Sequence, residues 1–247
     1  MYDMTGRVAI VTGASKGIGL VAGEMLSKMG ATTVFVSRSV SEEKIEMLRA
    51  ENYSALSYTC DVSSEEQVKN MIDNLVGKFS RIDILINNAG IADKKKPIEE
   101  ISLLDWNRII TNNLTSQFLM CKYCVPIMKR RRYGKIVNVS SIAGRFRSFT
   151  AGLDYVTSKA SIIGFTRQLA YELALFNINV NAVCPSQTYT PMLTRNITVE
   201  VEESLKQQIP LGYIASPEQP ANVIVFLTSD EASYMTGAIV DVNGGQF

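Results

Sequence analysis

Arg7-Val8-Ala9-Ile10-Val11-Thr12-Gly13-Ala14-Ser15-Lys16-Gly17-Ile18-Gly19 decides how the rest of the chain is read. An apolar strand runs into a glycine-rich turn, and a helical pattern through Leu20, Ala22, Met25, Leu26 and Met29 follows at once. A phosphate-binding turn needs that order, because glycines let the backbone approach a pyrophosphate while the helix N-terminus supplies N–H groups and positive potential. A lone glycine cluster is often only a turn. With both flanks in place, the stretch points to a bound nucleotide.

Working outward, the second strand, Thr33-Val34-Phe35-Val36-Ser37, ends in Arg38. Dinucleotide folds choose their cofactor at this position, an acid binding the ribose 2′-hydroxyl and a base accommodating a 2′-phosphate. Arg38, with Lys16 in the glycine loop, favours NADP over NAD. Ala55-Leu56-Ser57-Tyr58-Thr59-Cys60 reads as a third strand closing at Asp61-Val62, with Ser63 and Glu66 as a capping box for the next helix. Asp61 is either an adenine contact or a strand-end turn former. A fourth strand at 82–86 runs into Asn87-Asn88-Ala89-Gly90, small and polar residues that suit a crevice-lining loop.

The alternation continues through Lys135-Ile136-Val137-Asn138-Val139-Ser140-Ser141, a strand at 178–185, a helix through Val223 to Leu227, and a last strand before Asn243-Gly244-Gly245. It predicts an α/β fold, a mainly parallel sheet with helices on both faces. A chain of 247 residues, 46% hydrophobic, suits one such domain over 1–247. The long polar segment at 186–210, at the carboxyl end of a strand, is expected to be a substrate lid.

Candidate chemistry lies in Asp154-Tyr155-Val156-Thr157-Ser158-Lys159. Four residues apart on a helix, Tyr155 and Lys159 share a face, and an adjacent ammonium is expected to lower the phenol pKa toward a working pH. The plainer reading is an exposed helix pair. Ser141, at the exit of its strand, is placed to join Tyr155; turn chemistry is the plainer reading there. Asn112 and Asn113 are poor helix-interior residues, so one is expected to be kept for hydrogen bonds or a bend.

Composition removes other chemistries. The chain has no histidine, which excludes imidazole bases, His triads and His zinc sites. A net charge of +1 gives no field for nucleic acid or anionic membrane. Cys121 and Cys124 form a C-x-x-C pair that reads as mid-helix, so packing is expected rather than redox chemistry; Cys60 and Cys184 offer no zinc site. No apolar run reaches the ~18 residues of a membrane span, and no leader is read before the first strand, so a soluble cytoplasmic protein is expected. The runs Lys94-Lys95-Lys96 and Lys129-Arg130-Arg131-Arg132 read as solvated loop and helix-end charges, with docking of an acidic partner as the alternative.

Taken together, Thr12-Gly13-(three residues)-Gly17-Ile18-Gly19, Asp61-Val62, Asn87-Asn88-Ala89-Gly90, Asn113, Ser141, Tyr155-(three residues)-Lys159 and Asn243-Gly244-Gly245 resemble the single-domain short-chain dehydrogenase/reductase family over essentially the whole chain. The resemblance implies a Rossmann-type doubly wound sheet of about seven parallel strands and hydride transfer between a nicotinamide and a carbonyl or alcohol, without a metal. It assigns Tyr155 as general acid, Ser141 as holder of the substrate oxygen, Lys159 to the nicotinamide ribose, and Asn113 to a proton-relaying water. It places the cofactor NADP(H) on Gly13, Ser15, Lys16, Gly17, Ile18 and Gly19, with Ser37, Arg38, Asp61 and Val62. Further cofactor positions are Asn88, Ala89, Gly90, Tyr155, Lys159, Pro185, Thr188 and Thr190.

The pattern is closest to 3-oxoacyl-carrier-protein reductases, in which Arg132 matches a carrier-docking position. The second docking position holds Phe176, and Pro185 is followed by Ser186-Gln187-Thr188 rather than the usual glycine and apolar residue. A sugar, polyol, steroid or small ketone is the alternative substrate. A scaffold that senses NADP without turnover is the alternative from another class; it needs a damaged catalytic set, and none is visible. The family also implies a homotetramer, and the apolar Phe118, Leu119, Ile162, Ile163 and Phe165 are read as surplus to one sheet face.

Overall fold

A computed structural model describes residues 2–39, 42–195 and 197–246. Among these, strands β1 (Val8–Thr12), β2 (Thr32–Ser37), β3 (Ala55–Thr59), β4 (Ile84–Asn87), β5 (Gly134–Val139), β6 (Ile178–Pro185) and β7 (Ile239–Val242) form one sheet in the order β3-β2-β1-β4-β5-β6-β7. Every pairing is parallel. The order reverses between β1 and β4, so the loops after their carboxyl ends diverge and leave a crevice there.

Side-chain alternation along the strands feeds two cores. Ala9, Val11, Ile84, Ile86, Val137 and Val139 face one side, against α1 (Gly17–Lys28) and α9 (Glu218–Thr228). Ile10, Leu85 and Ile136 face the other, against α3 (Glu65–Phe79), α5 (Ser116–Arg131) and α6 (Leu153–Leu173). The remaining helices are α2 (Glu42–Ala50), α4 (Leu103–Ile110), α7 (Pro191–Thr194) and α8 (Val199–Gln207). No helix among the described residues is long and apolar enough to cross a membrane.

Two local expectations need correction. Asp61 Oδ1 accepts from both the N–H and the hydroxyl of Ser63, at 2.9 and 2.6 Å, so Ser63 is spent on a turn. The α3 cap falls on Ser64, which accepts from Gln67 N, while Gln67 Oε1 accepts from Asp61 N at 2.9 Å. The cap lies one residue further on than Ser63, and the reciprocal bond of a capping box is replaced by the one from Asp61 N to Gln67. The apolar surplus is also smaller than expected: Leu119, Ile162 and Ile163 are buried inside, Phe165 packs on the second core, and Phe118 alone of the five is exposed.

At the amino end of the sheet, Asp83 is fully buried and bound on every side. Its Oδ2 accepts from Val8 N at 2.8 Å and from Arg81 Nε at 2.6 Å, and its Oδ1 from Arg81 Nη2 at 2.8 Å. This carboxylate sets the register at which β1 meets β4. Asp83→Ala leaves the Val8 N–H and the Arg81 guanidinium uncompensated, and a loss of about 3–5 kcal/mol in denaturant-measured stability is expected; a change within 1 kcal/mol contradicts the role.

Candidate active site

At the carboxyl end of the sheet a cavity of about 560 Å³ runs from the glycine loop and Arg38 to Ser141, Tyr155 and Lys159. The loop is built for close approach. Gly13 has φ +64°, and a Cβ there would lie 2.8 Å from Ala89 Cα; one on Gly19 would lie 2.4 Å from Asn88 Nδ2. Thr12 and Asn88 hold the two loops together. Thr12 Oγ1 accepts from Asn88 N and Ala89 N, both at 3.0 Å, and Asn88 Nδ2 donates to the carbonyls of Thr12 and Gly13 at 3.0 and 3.1 Å. Thr12 thus braces the loop, a role its place before Gly13 does not by itself reveal.

Of the nominated residues, all but Gly19 and Asn113 line the same cavity. Ser15, Lys16, Gly17, Ile18, Ser37, Asp61 and Val62 line it with Arg38, as do Asn88, Ala89, Gly90, Pro185, Thr188 and Thr190. Asp61 forms a turn with Ser63 and also lines the cavity; burial pushes its carboxyl up, but the Ser63 hydroxyl and N–H, and then the Arg38 charge, hold it below the usual range. A dinucleotide fits this donor set: unoccluded glycine backbone, the first turn of α1, and a guanidinium at the end of β2.

Tyr155 and Lys159 sit on α6, which lies tight against the carboxyl end of β5. A Cβ on Gly144 would come 2.5 Å from Lys159 C and 2.6 Å from Ala160 N, backbone atoms that cannot yield. Ser140 Oγ donates to Lys159 O at 2.7 Å, and Lys159 Nζ donates to Val139 O at 2.9 Å. Below them a buried chain runs from Asn87 Nδ2 to Asn138 Oδ1, at 2.9 Å, and from Asn138 Nδ2 to Thr166 Oγ1, at 3.0 Å.

Asn113 lies in a single π-helical turn, Thr111–Thr115, between α4 and α5. Its side chain is fully engaged. Oδ1 accepts from Ile91 N at 2.7 Å, and Nδ2 donates to Ile91 O and Ser158 Oγ, each at 3.0 Å. The expectation that one asparagine is kept for hydrogen bonds holds for Asn113. The widened turn is the local bend that aims it.

The expected lowering of the Tyr155 pKa does not occur. Burial pushes the phenol up, and only the Ser141 hydroxyl pulls it back. Lys159 Nζ lies 5.7 Å from the centre of the Tyr155 ring and is spent on Val139 O, so helical spacing brings the two together without a direct bond between their polar ends. Burial also pushes Lys159 down to about 8.

Outside the nominated set, the cavity is lined by the loop residues 91–95 and 147–151. Lys94 and Lys95 are exposed, as expected for solvated charges, yet both line the cavity. Arg147 joins them, and its position between Ser141 and Tyr155 was the available signal. Cys121 and Cys124 are buried in α5, where burial pushes the Cys121 thiol up to about 12, the reverse of a reactive thiolate. Among the described residues no group of three or more Cys, Asp or Glu side chains is placed to hold a metal.

The Lys159 shift has a testable sign. Below pH 8 folded and unfolded chains both carry the ammonium and the burial penalty is complete; from pH 8 to 10.5 only the unfolded chain keeps the proton, so the penalty is relieved. Lys159→Met should therefore gain stability relative to wild type at pH 7, and that gain should shrink by on the order of 3 kcal/mol as the pH approaches 10.5. Denaturant titrations of both proteins across this range check it, and a pH-independent difference refutes it.

Comparison with known proteins agrees with the geometry. A family model described as enoyl-(acyl carrier protein) reductase matches residues 13–246. The chain is 39% identical to the 3-oxoacyl-[acyl-carrier-protein] reductase FabG of Aquifex aeolicus, over 99% of this chain and 98% of that protein. It is 36% identical to the cis-4-hydroxycyclohexanecarboxylate dehydrogenase of Sinomonas cyclohexanicum, over 97% and 96%. Among solved structures, levodione reductase superposes with a TM-score of 0.92 at 30% identity, covering 98% of each chain. The chain belongs to the short-chain dehydrogenase/reductase family and is an oxidoreductase of CH–OH and C=O groups that uses a nicotinamide cofactor.

Proposed function

We propose that the protein is an NADP(H)-dependent carbonyl reductase in which Ser141, Tyr155 and Lys159 form the catalytic set. The observation that carries the reading is one continuous cavity with these three residues at one end and Arg38 at the other. When bound, the reduced nicotinamide supplies a hydride to the carbonyl carbon. Tyr155 Oη then gives its proton to the oxygen, and Ser141 Oγ holds that oxygen in place. A phenol kept protonated by burial suits an acid waiting for substrate. Lys159 binds the nicotinamide ribose, and its charge there favours the phenolate that proton transfer leaves behind. Asn113, whose side-chain amide is engaged by Ile91 and Ser158, is the residue that holds the proton-relaying water in this reading.

NADP preference rests on Arg38 and Lys16, both facing the cavity at the glycine-loop end. The segment 186–210, of which Asn196 lies outside the described residues, acts as the lid; Leu205, Ile209 and Ile214 pack with Leu193 and Ile197 as a cluster separate from the two main cores. The protein is cytoplasmic and assembles as a homotetramer through α4 to α6, where Leu103, Leu104, Phe118 and Tyr171 are exposed.

A 3-oxoacyl thioester is the substrate favoured by the Aquifex relative. A small ketone or alcohol is the second reading, favoured by Phe176: its ring lies under Lys129 Nζ at 4.4 Å, and Arg132 Nη2 donates to Leu175 O, so the matching carrier-docking positions are occupied within the chain. Tyr155→Phe should retain cofactor binding and lose about 10²–10⁴ in rate, followed by absorbance at 340 nm; equal turnover removes the mechanism. Arg38→Asp should shift the kcat/KM preference from NADPH toward NADH, and unchanged selectivity rejects Arg38 as the phosphate ligand.

A further inference from the structure

We propose that the substrate carries an anionic group, a carboxylate or a phosphate, which Lys95 and Arg147 hold at the mouth of the cavity with Lys94 beside them. The inference rests on the reductase reading and adds the chemical class of the substrate. Sheet order separates this basic group from the cofactor-facing one. Arg38 follows β2, Lys94 and Lys95 follow β4, and Arg147 follows β5, with β1 and its glycine loop between the two sets. One cavity therefore has cations at both ends, and only the Arg38 end is explained by a dinucleotide.

Neighbouring cations are neutralised within the chain. Lys96 pairs with Asp105 at 2.9 Å, Arg108 with Asp93, and Arg145 with Asp241 at 3.1 Å. Among the described residues, no carboxylate lies within ion-pair distance of Lys94, Lys95 or Arg147. Asp154, which with Asp93 and Asp105 lines a small hollow beside Lys94, is buried and accepts from Tyr155 N at 2.8 Å. Lys94, Lys95 and Arg147 line one opening without an ion-pair partner of their own, and the positive field they leave there attracts an arriving anion.

The placement matches a substrate whose carbonyl meets Tyr155. A Cβ on Gly152 would lie 3.8 Å from Lys95 Cα, so the Lys95 loop touches the start of α6 three residues before Tyr155. Three helical residues rise about 4.5 Å, which keeps the anion within one small molecule's length of the phenol. The Arg147 guanidinium lies 5.3 Å from the centre of the Phe149 ring, a backing that leaves its edge for a bidentate oxyanion. Ile142, Phe149 and Leu193 line the space between and supply apolar contact for the body of the molecule.

The test compares matched pairs with the wild-type enzyme and NADPH: 4-oxocyclohexanecarboxylate against its methyl ester, and acetoacetyl-pantetheine 4′-phosphate against acetoacetyl-pantetheine. The charged member of one pair should be favoured roughly tenfold or more in kcat/KM, mainly through KM, and the factor should shrink in about 0.5 M NaCl. The preferred pair tells carboxylate from phosphate. Arg147→Gln and Lys95→Gln should each reduce the factor, and Arg147→Glu should invert it. Equal kcat/KM within both pairs, or a preference unchanged in the Arg147→Gln/Lys95→Gln double variant, overturns the proposal and leaves the reductase reading standing. Turnover of neither pair with NADPH or NADH removes the reductase reading instead. Calorimetry of the protein–NADPH complex with cyclohexanecarboxylate and its methyl ester, and with pantetheine 4′-phosphate and pantetheine, then decides the anion claim: tighter charged binding in either pair supports it, and equal affinity in both ends it.

Discussion

The missing side chain of Gly144 lets the backbone of α6 rest directly on the turn that leaves β5. Everything chemical in the protein depends on that approach. With the two backbones in contact, Lys159 reaches Val139 O, Ser140 reaches Lys159 O, and Tyr155 comes beside Ser141 although fourteen residues separate them. The Asn138–Thr166 hydrogen bond repeats the attachment two turns further along the helix. Each link is buried, so each is expensive to leave unmade, and together they hold the Ser141 and Tyr155 hydroxyls in one arrangement.

A second constraint fixes the cofactor side. Thr12 and Asn88 stand at the carboxyl ends of β1 and β4, the strands between which the sheet order reverses. Their mutual hydrogen bonds tie the glycine loop to the loop that follows β4. Asn113 continues the tie from that second loop to α6 through Ile91 and Ser158. The glycine loop and α6 are therefore connected by a short run of hydrogen bonds, which explains why an asparagine costly to helix propensity is kept in mid-helix.

Much of this was legible in the sequence because it is written in local patterns. Apolar runs ending in glycine or asparagine mark the strands, and 178–185 is the strand read in advance. Where two local signals compete, the reading slips: Asp61 captured Ser63, and the cap moved to Ser64. Properties that depend on packing were not legible. Spacing placed Lys159 beside Tyr155, but the sign of the phenol shift follows from burial, which spacing does not report. Leu119 and Ile162 looked like interface residues until the sheet claimed them. Lys94 and Lys95 looked like ordinary solvated charges because nothing in their own segment shows that they line one cavity with Arg147.

The cluster formed by Leu205, Ile209 and Ile214 has a kinetic meaning. Three buried aliphatic side chains contribute only about 1.5–3 kcal/mol each, far less than either main core, and they are shared with neither. A segment whose own cluster is that small is expected to open at a lower free energy than the sheet. Exchange of its amides with solvent would then report that local opening and not the lifetime of the native state.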